Sequence, residues 1–271
     1  MNHLKLVLEH LEKSDLEIYC CLDKKNNIDL FSALFQLNLE LAKINQNSGE
    51  KLISEVKLSW WFEIIEKLYE AKTPLIKQPT ILLLEEVIHK YKIKKSDLKK
   101  LIKAREFDLH NVKFKDSTEI RKYVDNYFTH ILIISCNALN LELNKKQAEH
   151  LTQICYLLKI ARIINSLPKY NYNNHPFIDQ ELQKDLAKYP AIKRQKEAIN
   201  LLKKRLQDEL DKLTKLDFPH KFLNNFANMV VYYCNETLKF SNERQIIYIA
   251  KYRLILHLKL VNLYKKFKLS P

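Results

Sequence analysis

The stretch SEVKLSWWFEIIEKLY, from Ser54 to Tyr69, contains both tryptophans of the 271-residue chain. Apolar residues in and just before it recur at spacings of three and four, namely Ile53, Val56, Trp60, Ile64 and Leu68. Charged side chains occupy other faces of the same segment, a pattern that is typical of an amphipathic α-helix. We therefore predict a helix from about Lys51 to Ala71 that buries a wide stripe, with Trp60 and Trp61 as its core anchors.

The same periodicity covers most of the chain, and no segment favours a strand over the helical alternative. Further helices are predicted over Leu4 to Leu22 with a break and an N-cap at Ser14, Asp29 to Ile44, Pro79 to Lys92, Ser96 to Asp108 with Ser96 as its cap, Ser117 to Leu139, Asn144 to Leu167 and Ser241 to Phe267. The predicted fold class is all-α. In the helix from Asp29 to Ile44, one apolar stripe is predicted from Leu30, Leu34, Leu37 and Leu41, which Phe31 and Phe35 widen. Cys136 and Cys155 lie in apolar helical runs and are predicted to be core side chains. We expect a single domain over residues 1–271, with an N-terminal helical extension over 1–27 and a loop over 169–179 between two halves of the bundle.

The chain contains one glycine, Gly49. Glycine-rich phosphate loops, dinucleotide-binding fingerprints and the nucleophile elbow of serine hydrolases all require glycine where the backbone turns sharply or approaches a ligand. The composition therefore excludes these classes of site.

The formal net charge is +14. Lysine is spread along nearly every segment, and no named nucleic-acid-binding module occurs, so we predict no nucleic-acid partner. The final segment, Gln245 to Phe267, combines apolar residues with basic ones and has no acidic residue. It is predicted to be a terminal helix of the bundle, with peripheral contact to an anionic membrane as the alternative.

Five cysteines show neither metal-binding spacing nor a disulfide framework, which indicates a reducing compartment. The N-terminus resembles no secretory signal or transit peptide, and no run of about twenty uncharged apolar residues occurs. We therefore predict a cytoplasmic protein, or one that is peripheral at the inner face of a membrane.

Candidate catalytic groups are few. Arg105 and Asp108 are one turn apart and can form an ion pair, either on a helix surface or at a site. Asp208 and Asp211 lie in a highly charged run that is typical of a solvated face. The histidines and cysteines form no zinc-binding pattern, and His130 and His257 are predicted to be core or interface residues. We expect no metal site and no cofactor.

Three elements in order resemble the squalene/phytoene synthase family: Ser54 to Tyr69, the pair Gln78 and Pro79, and the segment LIKAREFDL from Leu101 to Leu109. The similarity extends over about Leu30 to Pro168. It is greater to a divergent branch that includes the mitochondrial assembly factor of respiratory complex I and its alphaproteobacterial relatives. The resemblance implies an all-α, isoprenoid-synthase-like helical bundle, in which Arg105, Trp60 and Trp61 are candidate substrate-binding residues.

Catalytic members of this family condense two prenyl diphosphates head to head, and two aspartate-rich motifs hold their magnesium. At the first motif Glu40 stands for the first acid, while Ile44 replaces the last. At the second motif, where catalytic members carry an arginine followed by two aspartates four residues apart, this chain has Asn165, Ser166 and Tyr170. Glu40 and Asp108 remain as candidate catalytic carboxylates.

The resemblance therefore implies a degenerate and non-catalytic family member. Its partners would be a respiratory-complex subunit or a hydrophobic isoprenoid or lipid ligand. The alternative is an active prenyl transferase with rearranged Mg²⁺ ligands, which requires Glu40, Asp108 and a further carboxylate to converge on one cavity.

Overall fold

The computed structural model describes residues 3–23, 26–48, 51–70, 76–109, 113–167, 172, 175–214 and 217–239, and these ranges contain no β-strand. Their α-helices are α1 His3–Ser14, α2 Leu16–Cys21, α3 Ile28–Ser48, α4 Lys51–Tyr69, α5 Pro79–Tyr91, α6 Lys95–Ala104, α7 Ser117–Val124, α8 His130–Ala138, α9 Lys145–Ser166, α10 Gln180–Ala187, α11 Ala191–Leu210 and α12 Lys221–Lys239. A 3-10 turn, Arg105–Leu109, follows α6, and a π-helical turn occupies Asp125–Thr129. The predicted all-α fold class is confirmed.

The chain forms two compact units. Unit 1 comprises residues Met1–Val112 and Asn126–Glu142, and unit 2 comprises Lys113–Asp125 and Leu143–Pro271. Within unit 1, α3 packs against α1, α4, α5 and α8, and α4 packs against α6 and the 3-10 turn. Within unit 2, α9 packs against α7, α11 and α12, and α10 packs against α11. The domain boundaries predicted from the sequence stay a prediction.

Helix α3 forms the centre of the unit 1 core. The stripe predicted for it is buried throughout, and it consists of Leu30, Leu34, Leu37 and Leu41 with Phe31 and Phe35 beside it. The ring of Phe35 packs against Phe128, at a centroid distance of 5.6 Å. Polar residues of the same helix are also buried, including Gln36 and Asn38, and they need hydrogen-bond partners inside the unit.

Helix α4 is present as predicted, but it buries a different face. Ser54, Leu58, Trp61, Ile64, Ile65 and Leu68 are buried. Ile53 and Val56, which were assigned to the buried stripe, are exposed, Val56 by 62%. Apolar residues lie on more than one face of this helix, so periodicity alone does not select the face that meets α3 and α6. The prediction is confirmed for Ile64 and Leu68, but the centre of the buried face is rotated from the predicted one by about one residue, or about 100° around the helix axis.

Two predicted helix caps were also wrong. Asp15, not Ser14, is the N-cap of α2, and its side chain accepts a hydrogen bond from the Ile18 amide. Helix α6 starts at Lys95 after Lys94, and no side-chain cap is formed by the residue before the helix. Ser96 is therefore already helical. The predicted cap is displaced by one residue at α2, from Ser14 to Asp15, and by two residues at α6, from Ser96 to Lys94.

The unit 2 core is built on α9, whose buried residues include Ile154, Cys155, Tyr156 and Leu157. Cys155 and, in unit 1, Cys136 are buried as predicted, and burial raises the pKa of Cys136 to about 11. The loop predicted over 169–179 lies partly outside the described residues, and the helix predicted over Ser241 to Phe267 lies wholly outside them. Within the described ranges, no helix combines the length and apolar character needed to cross a bilayer.

Candidate functional site

Arg105 lies inside unit 1, at the start of the 3-10 turn, and is only 6% exposed. Its Nη2 donates to Asn38 Oδ1 at 2.5 Å, and its Nη1 lies 3.2 Å from Asp108 Oδ2. The guanidinium also stacks on the Tyr127 ring, 4.2 Å from the centroid. The predicted pair of Arg105 with Asp108 is present, but the arginine is buried rather than on a helix surface. It connects α3, the 3-10 turn and the π-helical turn.

Glu40 belongs to a second polar cluster, formed by α1 and α3. Gln36 Nε2 donates to Glu40 Oε1, and His10 Nδ1 lies near Gln36 Oε1, each at 2.8 Å. Lys43 Nζ is 2.8 Å from His10 Nε2. An ammonium group can only donate, so in this contact His10 Nε2 is the acceptor and His10 Nδ1 is left to donate to Gln36. The hydrogen bonds therefore form one chain, in which Lys43 donates to His10, His10 to Gln36, and Gln36 to Glu40.

The two candidate carboxylates lie in different clusters. Gln36 is one helical turn from Glu40 and shares its face, whereas Asn38, which contacts Arg105, is two positions from Glu40. Two positions correspond to about 200° around an α-helix, so Asn38 and Glu40 lie on opposite sides of α3. The structure therefore brings Asp108 to Arg105 and Glu40 to Gln36, and it does not bring the two carboxylates together. In the described part of the chain, no group of three or more His, Cys, Asp or Glu side chains has the arrangement of a metal site.

Three further aspartates, Asp29, Asp208 and Asp211, belong to neither of these clusters. Asp29 accepts hydrogen bonds from Lys90 Nζ at 2.7 Å and from the Tyr91 hydroxyl at 2.8 Å. Burial acts to raise the pKa of Asp29, but the bonds from Lys90 and Tyr91 outweigh it and hold the pKa below its ordinary value. Asp208 and Asp211 are exposed at the end of α11, where Asp211 accepts from Gln207. This is the solvated face that the charge pattern indicates.

The tandem tryptophans lie in unit 1 on α4. Trp61 is buried, and its ring meets the half-buried Trp60 edge to face at 5.1 Å. Their role as core anchors is therefore seen mainly at Trp61. Their assignment as substrate-binding residues stays a prediction.

In unit 2, the resemblance places Asn165 at the arginine that precedes the two aspartates of the family's second motif. Its Nδ2 donates to the Tyr233 hydroxyl at 2.9 Å and to Thr237 Oγ1 at 3.0 Å. Thr237 in turn donates to the Tyr233 carbonyl. Asn165 therefore connects α9 to α12. Tyr170, the third motif position, lies outside the described residues.

Ser166 lies 3.0 Å from His175 Nε2, a contact that the sequence did not indicate. His175 Nδ1 accepts from the Phe177 amide, so in the neutral ring Nε2 carries the proton and donates to Ser166 Oγ. The serine hydroxyl donates to the Ile163 carbonyl. Burial and the nearby Lys159 ammonium lower the pKa of His175 to about 4. This pair therefore has the wrong polarity for a histidine base that activates a serine.

An aromatic cluster in unit 2 was also missed by the sequence reasoning. The rings of Phe114, Tyr123 and Phe177 lie within 5.6 Å of one another by centroid. Lys159 Nζ stands 3.3 Å from the Phe177 centroid and 5.9 Å from that of Tyr123. The sequence signal was a lysine inside the apolar run of α9, which is the setting in which an ammonium group meets aromatic faces.

Two arginines of unit 2 surround Tyr156 and form further ionic contacts. The Arg121 guanidinium lies 4.0 Å from the Tyr156 centroid, and its Nη2 is 2.8 Å from Glu209 Oε2. Arg205 Nη1 donates to Asp179 Oδ2 at 2.7 Å, and Asp179 is fully buried. Burial acts to lower the pKa of Arg205, but the hydrogen bond that Arg205 donates to Asp179 outweighs it and raises the pKa. These contacts fasten α7, α9, α10 and α11 together.

The family model of squalene/phytoene synthases matches residues 29–208, which is more than half of the chain. Among curated proteins, complex I assembly factor 6 of Bos taurus is 28% identical over 138 residues and that of Homo sapiens is 27% identical over 138 residues. The homologue of Dictyostelium discoideum is 26% identical over 133 residues. The bovine and human alignments cover 50% of this chain but only 40% of each relative, and the Dictyostelium alignment covers 48% and 37%.

Two solved structures share the fold. A squalene synthase from Alicyclobacillus acidocaldarius superposes with a TM-score of 0.63, covering 92% of this chain and 93% of its own, at 10% identity. A dehydrosqualene synthase crystallised with a ligand gives a TM-score of 0.66, covering 94% and 96%, also at 10% identity. The predicted isoprenoid-synthase-like helical fold is thereby confirmed, and at this identity the likeness concerns the fold alone.

Proposed function

The chain belongs to the squalene/phytoene synthase family, and from this premise we propose that it is a non-catalytic member that acts in the assembly of a respiratory complex. The similarity to complex I assembly factor 6 from several organisms supports this proposal. We further propose that the helical interior binds an isoprenoid or another lipid, and that the protein works in the cytoplasm or at the inner face of a membrane.

The observation that carries the proposal is the internal use of the side chains at the family's motif positions. Asn165 binds Tyr233 and Thr237 of α12, and Arg105 binds Asn38, Asp108 and Tyr127. A diphosphate substrate would need such groups to face a ligand. Their contacts instead support a role in holding helices together.

The candidate carboxylates do not fit a magnesium pair. Magnesium requires near-octahedral oxygen ligands, commonly from one or two carboxylates together with substrate phosphates. Glu40 accepts from Gln36 in the cluster with α1, and Asp108 pairs with Arg105 in the other cluster. These positions support the non-catalytic proposal over a prenyl transferase with rearranged ligands.

Incubation with farnesyl or geranylgeranyl diphosphate and Mg²⁺ is expected to yield no head-to-head product. The reason is that no two candidate carboxylates converge to hold the metal against a diphosphate. Product formation would be followed by chromatography and mass spectrometry, with a dehydrosqualene synthase assayed in parallel as the positive control. Robust product formation that is lost in both Glu40→Gln and Asp108→Asn would establish the prenyl transferase and overturn the proposal.

The assembly role is tested by complementation of human cells that lack complex I assembly factor 6. The full chain, fused to a mitochondrial targeting segment, is expected to restore assembled complex I on native gels, because the proposal assigns it the same assembly step. Lys103→Ala should rescue as well as the unmodified chain, since Lys103 is an exposed side chain of α6. Stable and folded expression without any recovery of complex I would count against the assembly role.

A further inference from the structure

The connection between α10 and α11 projects apolar side chains into solvent. Residues 187–193 are all exposed, and we call this segment the hairpin apex. Ile192 within it is 91% exposed and Tyr189 is 37% exposed. Among the large apolar side chains that the structure describes, Ile192 is the most exposed. A large apolar side chain that is exposed at the tip of a turn indicates an interaction site, where it can insert into the surface of a binding partner.

The hairpin apex is held in a defined conformation. Arg194 Nε donates to the Tyr189 carbonyl, and the Lys193 amide donates to the Pro190 carbonyl, each at 2.9 Å. Leu186 before the apex and Ala198 after it are buried between the packed helices. The exposure of Ile192 is therefore a property of a folded helical hairpin.

Basic side chains surround the hairpin apex. Between residues 184 and 196 the chain has five basic residues and one acidic residue, Asp185, which gives a local charge of five minus one, or +4. The basic residues are Lys184, Lys188, Lys193, Arg194 and Lys196. Lys188 pairs with Asp185 in a largely exposed salt bridge. These basic residues give the surroundings of the hairpin apex a positive charge, which is also the sign of the net charge of +14 of the whole chain.

A second exposed apolar face lacks such a set of surrounding basic residues. On α4, Leu52 and Val56 are exposed by 69% and 62%, and the neighbouring Lys51 pairs with Glu55. Nothing in the described residues indicates what would cover this face. It therefore provides a matched control for the hairpin apex.

We propose that the hairpin apex is a docking site for an anionic lipid bilayer. Ile192 would enter the boundary between headgroups and acyl chains, and the amphipathic ring of Tyr189 would lie at headgroup level. The lysines on both sides would contact lipid phosphates, with their aliphatic stems along the interface. Every residue of the apex is exposed, so the apex suits a bilayer, which accommodates a protruding apolar tip, better than a protein partner. The inference is independent of the assembly role.

The full chain is expected to co-sediment with phosphatidylcholine vesicles that contain about 30 mol% phosphatidylserine, and much less with phosphatidylcholine alone. Ile192→Asp should weaken the vesicle partition coefficient at least tenfold, because it places a charge at the inserted tip. The double variant Lys193→Gln/Lys196→Gln should also weaken it at least tenfold, at roughly fivefold per basic residue. Raising the salt from about 0.1 M to about 1 M should release the protein, since the screening length falls from about 10 Å to about 3 Å.

Control variants on α4 distinguish binding through the hairpin apex from nonspecific hydrophobic adsorption and from an effect of the total charge on vesicle binding. Val56→Ser removes another exposed apolar side chain, and Lys57→Gln/Lys67→Gln removes the same charge from exposed positions. Both should bind vesicles as the unmodified chain does. Unchanged vesicle binding by the Ile192→Asp variant overturns the proposal, as does equal loss in the α4 variants or absence of vesicle binding by the full chain. Apex variants that bind vesicles normally but lose an acidic protein partner would assign the apex to that partner and would also overturn it.

Discussion

Replacement of Asp179 by alanine is expected to lower the free energy of unfolding by about 3–5 kcal/mol, the range measured when one partner of a buried ion pair is removed. Asp179 is fully buried, and its two carboxylate oxygens have different partners. Oδ1 accepts from the Leu182 amide as the N-cap of α10, and Oδ2 accepts from Arg205 Nη1, both at 2.7 Å. The substitution leaves the Arg205 charge without this partner and removes the cap, which alone contributes about 1 kcal/mol. Denaturation in urea, followed by circular dichroism, measures the change.

Two controls show whether the buried pair causes the loss. Asp185→Ala removes an acid of the same helix whose bridge to Lys188 is largely exposed, so it should cost at most about 1 kcal/mol. Asp179→Asn retains an oxygen for the Leu182 amide and should fall between the two. If Asp179→Ala and Asp185→Ala destabilise equally, the contact between Asp179 and Arg205 does not stabilise unit 2 in this way.

The helices could be predicted because apolar residues recur along the chain at helical spacing. In α3 a single stripe of leucines dominates, and all four predicted members are buried. Helix α4 carries apolar residues on several faces, and there the choice of face failed. The buried set is decided by α3 and α6, which pack against α4 and which the local pattern does not contain.

The candidate site was predictable only in part, for a similar reason. The pairing of Arg105 with Asp108 is local and follows from their spacing of three residues. The bond from Arg105 to Asn38 spans 67 residues, and that from Asn165 to Tyr233 spans 68. The resemblance predicts that the residues of the second motif are replaced, but the contacts that Asn165 makes depend on where α12 packs.

The contacts of Arg105 predict a stability effect rather than a catalytic one. Arg105→Ala is expected to lower the free energy of unfolding by about 2–4 kcal/mol, because it removes a buried charge that bonds Asn38 and Asp108 and leaves space beside Tyr127. The cost should lie below that of Asp179→Ala, since the Asp108 side chain is 23% exposed and can be solvated by water. Urea denaturation again gives the value.

Variants of Arg105 distinguish an internal brace from a ligand-binding group. Arg105→Lys keeps the charge but lacks the planar fork that reaches both Asn38 and Asp108, so it should recover less than half of the loss. Lys103→Ala, two residues earlier in α6 and exposed, should change stability by no more than about 0.5 kcal/mol. In a double-mutant cycle with Asn38→Ala, the two substitutions should be clearly non-additive, because the two side chains share one hydrogen bond. An Arg105→Ala variant as stable as the unmodified chain would contradict the brace, and it would favour the alternative in which Arg105 faces a diphosphate.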